Sequence, residues 1–491
     1  MKATTKEKFH ELAREATIIP VYREIPGDMD TPVSVLKRFA GDDCVVLLES
    51  VEGGENLGRY SFLGVNPYGM FLVKNREAYV KIGGIKRRIP FEGNPMNALR
   101  SVIGGGKVAV DPELPPLPGG AIGTLSYEAA GLFEELPEPK ETPKVPECLF
   151  MLTDEIIAFD NRRHTIKVIV NVHTTRHQTK EDAFESAQNR IALLVKRLKT
   201  PVCEQPREGE THRVDLKPDM PKEQFLEMVK RAKEHIVEGD VIQVVPSQSF
   251  SAESDIPPFD IYRALRLINP SPYMFYLKLG DDLLIGSSPE TLVRLNGRTS
   301  QICPIAGTRP RGSSPEEDLA LEKSLLADEK EKAEHLMLVD LGRNDIGRTS
   351  KPGTVRVDDF MHVERFSHVM HLVSRVQGEL REDTDAFDLA ASAFPAGTLT
   401  GAPKIRAMEI IHELEARPRG FYGGAVGYFS YDGSMDLAIT IRTMEIRGRH
   451  IKVQAGCGIV ADSVPETEYQ ETLNKARALF KAVDFAAGGL Q

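Results

Sequence analysis

Turn signals constrain the fold of this chain more than any other feature. Between Ile18 and Val172, short apolar runs such as CVVLLES, RYSFLG, MFLVK, AYVKIGG and TIKVIVNVH alternate with turns. The Pro- and Gly-dense stretches DPELPPLPGGAIG and ELPEPKETPKVPE mark loops around an antiparallel sheet, because neither residue sits well in a central strand. Further on, hairpin signals stand at Asn296 with Gly297 and in YDGS from Tyr431. Hairpins at this frequency argue for large mixed or antiparallel sheets in an α+β fold, and against a doubly wound parallel sheet.

Helical periodicity punctuates the strands. One helix is expected over 181–198, with Phe184, Ile191, Leu194 and Val195 on its apolar face. Another opens at Pro221, carries Phe225, Met228, Val229, Ala232 and Ile236 on one stripe, and stops at Gly239. Further helices are expected over 258–268, 316–338, 384–393, 402–415 and 466–484, and strands over 424–430, 435–444 and 450–456. VIQVVPSQSF reads as a strand. Between them KTPVCEQPREGETHRVDLKPDMP has four prolines and little apolar content, so the main linker is expected near 199–221. It divides an N-terminal domain, 18–200, from a C-terminal domain, 221–485.

Charge and composition exclude several classes of function. With 72 acidic against 62 basic residues and a net charge of -10, sequence-independent phosphate binding is ruled against, and with it nucleic acid as a partner. No segment approaches the ~18 apolar residues of a membrane span, and MKATTKEKFHELAREAT has no apolar stretch after its lysines, so neither leader nor anchor is expected. The five cysteines, Cys44, Cys148, Cys203, Cys303 and Cys457, lie far apart without CxxC spacing, as expected for a soluble protein of a reducing cytoplasm.

Two carboxylate pairs carry the strongest chemical signal. Glu331 and Glu334 lie in DEKEKAEHLMLVDLGRND, and Glu468 and Glu471 in ADSVPETEYQETLNKA, each pair at i, i+3 spacing. On a helix that spacing stacks both carboxylates on one face, so two such helices meeting at a cleft could offer oxygen ligands to one hard cation, magnesium. Either pair alone is an ordinary solvated helix face. Their surroundings matter more. PIAGTRPRG sets Gly307 and Thr308 at a tight turn whose amide and hydroxyl could hold a carboxylate. GSSPE ends a strand on Glu290, FPAGTLTGAPK is a glycine-punctuated loop opening a helix, and AGCGIV lets backbone approach a ligand at Gly456, Cys457 and Gly458. Tyr422 precedes a Gly-Gly strand, and Arg442 sits in LAITIRTMEI.

The joint order of GTRPRG, AEHLMLVDLGRND, FPAGTLTGAPK and PETEYQET resembles the chorismate-utilising enzymes, and within them the group that makes anthranilate. The resemblance covers most of the chain. It implies a layered α/β/β/α sandwich, chorismate as substrate and Mg2+ as cofactor, with Glu334 and Glu471 as direct ligands and Glu331 and Glu468 holding water behind them. It implies that Arg442 and Tyr422 clamp the enolpyruvyl carboxylate, and that Gly307, Thr308 and the turn Gly456 to Gly458, with Cys457 between them, contact substrate. Glu290 takes the general-acid position that departure of the ring hydroxyl requires, and His371 and Thr398 line the ring.

In relatives that add water a lysine base stands where this chain has Gln243, and in aminodeoxychorismate synthases a lysine stands where it has Ala306. Both differences favour anthranilate over the alternatives, an aminodeoxychorismate or aminodeoxyisochorismate synthase. No cysteine lies in a glutaminase setting, so ammonia is expected from a separate glutamine amidotransferase subunit, in a heterodimer or heterotetramer. Ser50 in LLES, with Pro272, Tyr273 and Met274 in NPSPYMFY, matches segments that bind tryptophan as feedback inhibitor. The N-terminal domain would then be regulatory and the C-terminal one catalytic.

Overall fold

The computed structural model describes residues 1–51, 58–201, 214, 216–365 and 369–490. Cys203 and most of the stretch 199–221 lie outside them. Two large sheets dominate. The first has eleven strands; its midpoint pairs Cys44–Glu49 with Tyr273–Leu279, so that Glu49 stands opposite Met274. The second has twelve, and Gly120–Leu125 pairs with Ala425–Ser430 at its centre. Every named strand pair is antiparallel, as the hairpin signals require. Both sheets therefore draw strands from 18–200 and from 221–485, and hydrogen bonds cross between the two stretches at both centres.

Alternation along the strands builds the layers. In Tyr273–Leu279, Met274 and Tyr276 face a core that includes the helices Lys180–Leu198, Pro258–Ile268 and Pro465–Ala487, while Phe275 and Leu277 point the other way. In Cys148–Thr153 of the second sheet, Leu149 and Met151 join Phe275 and Leu277 in the core between the sheets. Cys148, Phe150 and Leu152 face outward onto Met96–Ile103 and Ala386–Ala393. Period-two side chains on two stacked sheets give the helix, sheet, sheet, helix order.

Three elements depart from the sequence expectation. The helix expected over 316–338 is two helices, Pro315–Ala327 and Glu329–Gly347. Asp328 breaks the run at φ -78, ψ 107, and its carboxylate caps the second helix by accepting from the Lys330 and Glu331 amides. The strand expected over 435–444 is also two, Met435–Ile439 in the second sheet and Thr443–Arg447 in the first. VIQVVPSQSF divides at Pro246 into Gln243–Val244, paired with Gly401–Ala402, and Ser247–Glu253.

The chain crosses between sheets at two adjacent places. Asp282–Ser288 belongs to the first sheet and Thr291–Asn296 to the second, so Glu290 sits at one crossing. Arg442, at φ +50, sits at the other. The crossings are tied together: Ile439 N donates to Glu290 O at 3.0 Å, and Ser287 N to Arg442 O at 3.1 Å.

Candidate active site

The acidic helices converge through electrostatics rather than as a finished cage. Burial raises the Glu334 carboxyl, and Glu331 and Glu471 raise it further, while Gln243 donates to it and lowers it. Burial and then Glu471 raise Glu468, against hydrogen bonds from Ser463 and the Cys457 thiol. Glu331 Oε1 lies 3.3 Å from Arg309 Nη1, and exposed Glu471 lies 2.6 Å from Lys475 Nζ, which also reaches Gly456 O at 2.9 Å. No three of these four carboxylates bring oxygens within 4.8 Å of one another. Among the described residues the trio that does so is His235, Glu238 and Asp240, where Arg406 already occupies Asp240 Oδ2 at 2.7 Å. An all-oxygen donor set in which neighbouring carboxylates raise Glu334 and Glu468 fits a hard cation that takes one or two carboxylates and keeps its waters.

Beside Glu331, the tight turn expected at GTRPRG is instead an irregularity within the strand Ile305–Pro310. Gly307, at φ +66, is the extra residue of a bulge between Ala306 opposite Leu372 and Thr308 opposite His371. His371 Nδ1 lies 2.8 Å from Gly307 O and 3.2 Å from Thr308 Oγ1. A proton on Nδ1 toward that carbonyl makes Nε2 the basic nitrogen. Burial lowers the imidazole pKa, which keeps the ring neutral at physiological pH.

The third wall is the pair of crossings. Burial pushes the Glu290 carboxyl up to about 7, and the Thr398 hydroxyl pulls it slightly back. Thr398 Oγ1 is buried and makes no hydrogen bond of ordinary length. Arg442 is half-buried, and its guanidinium has no ion pair or hydrogen bond among the described residues. Burial lowers its pKa, while Tyr422 and Glu471 favour the cation. Glycine is needed in AGCGIV because a Cβ on Gly456 would stand 2.7 Å from Tyr422 Oη, and one on Gly458 would stand 2.5 Å from Gln243 Nε2. Gln243 therefore spans from the Gly458 turn to Glu334.

Sequence reasoning missed the frame behind these groups. Lys404 Nζ lies 2.8 Å from both oxygens of Asp345 in a buried ion pair that joins FPAGTLTGAPK to DLGRND. Buried His335, its pKa lowered to about 4 by desolvation, lies with Nε2 2.6 Å from Ser374 Oγ. Arg419 and Glu415 form a second buried pair behind Tyr422. Lys404, Asp345 and His335 were inside quoted motifs, but their partners are far away in sequence. Arg419 and Glu415 had no signal.

Ser50, Pro272, Tyr273 and Met274 do come together. They line a cavity of about 350 Å³ together with Tyr428 and Asp436. A second concavity, of about 830 Å³, runs along Ser247, Gln248, Lys452 and Gln454 and includes none of the four acidic residues.

Residues 45–481 match the family described as chorismate binding enzyme. The chain is 50% identical over 98% of its length to anthranilate synthase component 1 of Acetivibrio thermocellus, covering 98% of that protein. It is 46% identical to the protein of that name from Aquifex aeolicus (strain VF5), over 98% of this chain and 97% of the relative. Among solved structures, anthranilate synthase component I from Streptococcus pneumoniae TIGR4 superposes with a TM-score of 0.78 at 39% identity, covering 93% of this chain and 99% of that one. The menaquinone-specific isochorismate synthase from Escherichia coli shares the fold, with a TM-score of 0.69 at 19% identity over 97% and 98% of the two chains. With its two shared sheets, its bulge at Gly307 and its crossings at Glu290 and Arg442, this chain belongs to the chorismate-binding enzyme family.

Proposed function

We propose that this chain is a magnesium-dependent lyase that converts chorismate and ammonia to anthranilate and pyruvate, the step that commits chorismate to tryptophan. The observation that carries this reading is Glu290, a carboxyl whose burial brings its pKa to about 7. Hydroxide is a poor leaving group, and an acid protonated near neutral pH can supply the proton that lets it depart as water.

Arg442, whose guanidinium has no ion pair or hydrogen bond among the described residues, binds the enolpyruvyl carboxylate in a planar two-pronged contact, with the Tyr422 hydroxyl beside it. Glu334 and Glu471 hold the magnesium, with Glu331 and Glu468 behind them. When bound, the cation neutralises the ring carboxylate and the acidic helices. Gly307, Thr308 and the turn through Cys457 border the substrate. Ammonia forms its bond to the ring two carbons from the departing hydroxyl, the two conjugated double bonds shift round the opposite side of the ring, and Glu290 gives its proton to the leaving oxygen, which departs as water. Elimination then breaks the bond from ring carbon to enol ether oxygen, releases pyruvate and leaves the ring aromatic. In the same elimination His371 Nε2, neutral through burial, takes the proton from the ring carbon that bears the new amine, and Thr398 closes the ring pocket.

Gln243 supports the choice of nucleophile, since an amide cannot deprotonate water. Burial raises the pKa of all four described cysteines, Cys44, Cys148, Cys303 and Cys457, so none is an activated thiol. We therefore assign ammonia supply to a second component, a glutamine amidotransferase, which agrees with the word component in the relatives' names. The cavity at Ser50 and Tyr273 falls within the ~300–1,000 Å³ of small-molecule sites, and we assign it to tryptophan as inhibitor. The 18–200 stretch supplies Ser50 and the 221–485 stretch supplies the catalytic groups. No described helix is long and apolar enough to cross a membrane.

Purified chain given chorismate, Mg2+ and an ammonium salt produces anthranilate fluorescence, without any amidotransferase. A product that is non-fluorescent, or that has the mass of an amino-chorismate, overturns the reading.

A further inference from the structure

Arg419 is the largest fully buried side chain described. Its guanidinium makes four hydrogen bonds: Nε to Glu415 Oε2 at 3.0 Å, Nη2 to Glu415 Oε1 and to Val245 O at 2.7 Å each, and Nη1 to Leu399 O at 2.8 Å. It also lies 4.4 Å from the ring centre of Tyr127 and 5.7 Å from that of Tyr422. Glu415 Oε1 in turn accepts from Ser247 N at 2.8 Å and Ser247 Oγ at 2.9 Å.

Apart from the contact with Tyr127, these contacts lead to segments that carry a candidate substrate contact. Leu399 directly follows Thr398. Val245 lies two residues beyond Gln243. Ser247 stands opposite Gly456 in the sheet, and Pro246 O accepts from Cys457 N at 3.2 Å. Tyr422, stacked on the cation, places its hydroxyl against Gly456. An ion pair retained only for stability is readily replaced by apolar side chains, and it needs no such distribution of partners. A planar fork with fixed donor directions holds two backbone carbonyls and both oxygens of Glu415 at once, and through Glu415 the Ser247 strand, which a lysine ammonium cannot do.

We infer that the Arg419–Glu415 pair is a positioning device that holds Tyr422, the Thr398 loop, Gln243 and the Gly456 turn in register for the carboxylate-bearing substrate. This rests on the proposed reaction and adds two residues that act through others. Arg419 touches no substrate; it fixes where Tyr422 Oη stands.

The test is a double-mutant cycle on the full chain with Arg419→Lys and Tyr422→Phe, assayed with chorismate, Mg2+ and ammonium. Lysine keeps the charge opposite Glu415 but loses the bonds to Leu399 O and Val245 O and the ring stacking. Arg419→Lys is expected to unfold cooperatively like the wild type while its KM for chorismate rises by about tenfold, and the double variant is expected to be no worse than the weaker single within about twofold. A wild-type KM in Arg419→Lys, or effects of the two changes that multiply, overturns the inference. Should Arg419→Lys fail to fold, Glu415→Gln replaces it in the cycle under the same criteria. Failure of the wild type to make anthranilate is a different result, and sinks the proposed reaction instead.

Discussion

The Tyr273 hydroxyl lies 2.7 Å from Thr291 Oγ1, and Thr291 is the residue after Glu290. Asp436 Oδ1 at 3.1 Å and Arg294 Nη2 at 3.1 Å complete the surroundings of the phenol. The cavity assigned to tryptophan and the acid assigned to catalysis are thus joined by one hydrogen bond and one peptide unit. Ser271 adds a second tie by donating to Ser288 O.

That relationship makes Thr291→Val informative. Tyr273 keeps Asp436 and Arg294, so the cavity persists, and one lost hydrogen bond costs about 0.5–1.5 kcal/mol of stability. Calorimetry is expected to give tryptophan binding close to wild type, while inhibition of anthranilate formation weakens severalfold. Undiminished inhibition would show that the coupling runs elsewhere.

Activity should follow the protonation of Glu290. Its folded pKa of about 7 lies above the ordinary 4.5, so the acid form is the one the fold favours. The rate is expected to fall as pH rises through about 7, and Glu290→Gln to lose that limb along with about 10²–10⁴ of the rate. The same sign governs stability: as pH rises from 4.5 through 7 the wild type loses stability by ionising a buried acid, and the glutamine variant does not. Thermal unfolding at pH 5 and pH 8 checks this, and an equal pH response in both proteins would count against it.

Magnesium is expected to raise the unfolding midpoint, because it binds the folded chain and relieves repulsion among Glu334, Glu468 and Glu471. At a hundredfold excess over its dissociation constant the gain is about 2.7 kcal/mol. Glu334→Gln is expected to lose most of this response, yet to be the more stable protein without metal. A full magnesium-dependent shift in that variant would remove Glu334 from the ligand set.

Lys404→Met leaves Asp345 as a buried carboxylate with no cation. Breaking such a pair costs about 3–5 kcal/mol, measurable by urea unfolding. Adding Asp345→Asn to it should recover much of that loss. If the double variant is as unstable as the single, the pair contributes through packing rather than charge.

Much of the fold was legible from short-range signals. Hairpin dipeptides and proline-rich loops announced antiparallel sheets, and the helix from Pro221 was bounded by its own proline and glycine. Where the reading failed, a single residue overrode a continuous pattern. Asp328 prefers to cap rather than continue a helix, so one expected helix became two, and Glu331 was moved into the first turn of the second. LAITIRT carries unbroken strand propensity, yet Arg442 takes a left-handed φ because the chain must leave one sheet for the other.

The sequence by itself determined the inventory of this protein: two acidic pairs, the glycine turns, Glu290, His371, Arg442 and the family whose motifs they share. Those motifs are local, and local chemistry is written in local order. Only the tertiary structure decided which groups face one another. Gln243 against Glu334, Tyr273 against Thr291, Lys404 against Asp345 and Arg419 behind Tyr422 are contacts between segments of large sequence separation. They arise because the chain crosses between two shared sheets at two adjacent places, and burial there raises the Glu290 pKa and leaves the Arg442 guanidinium with no ion pair among the described residues.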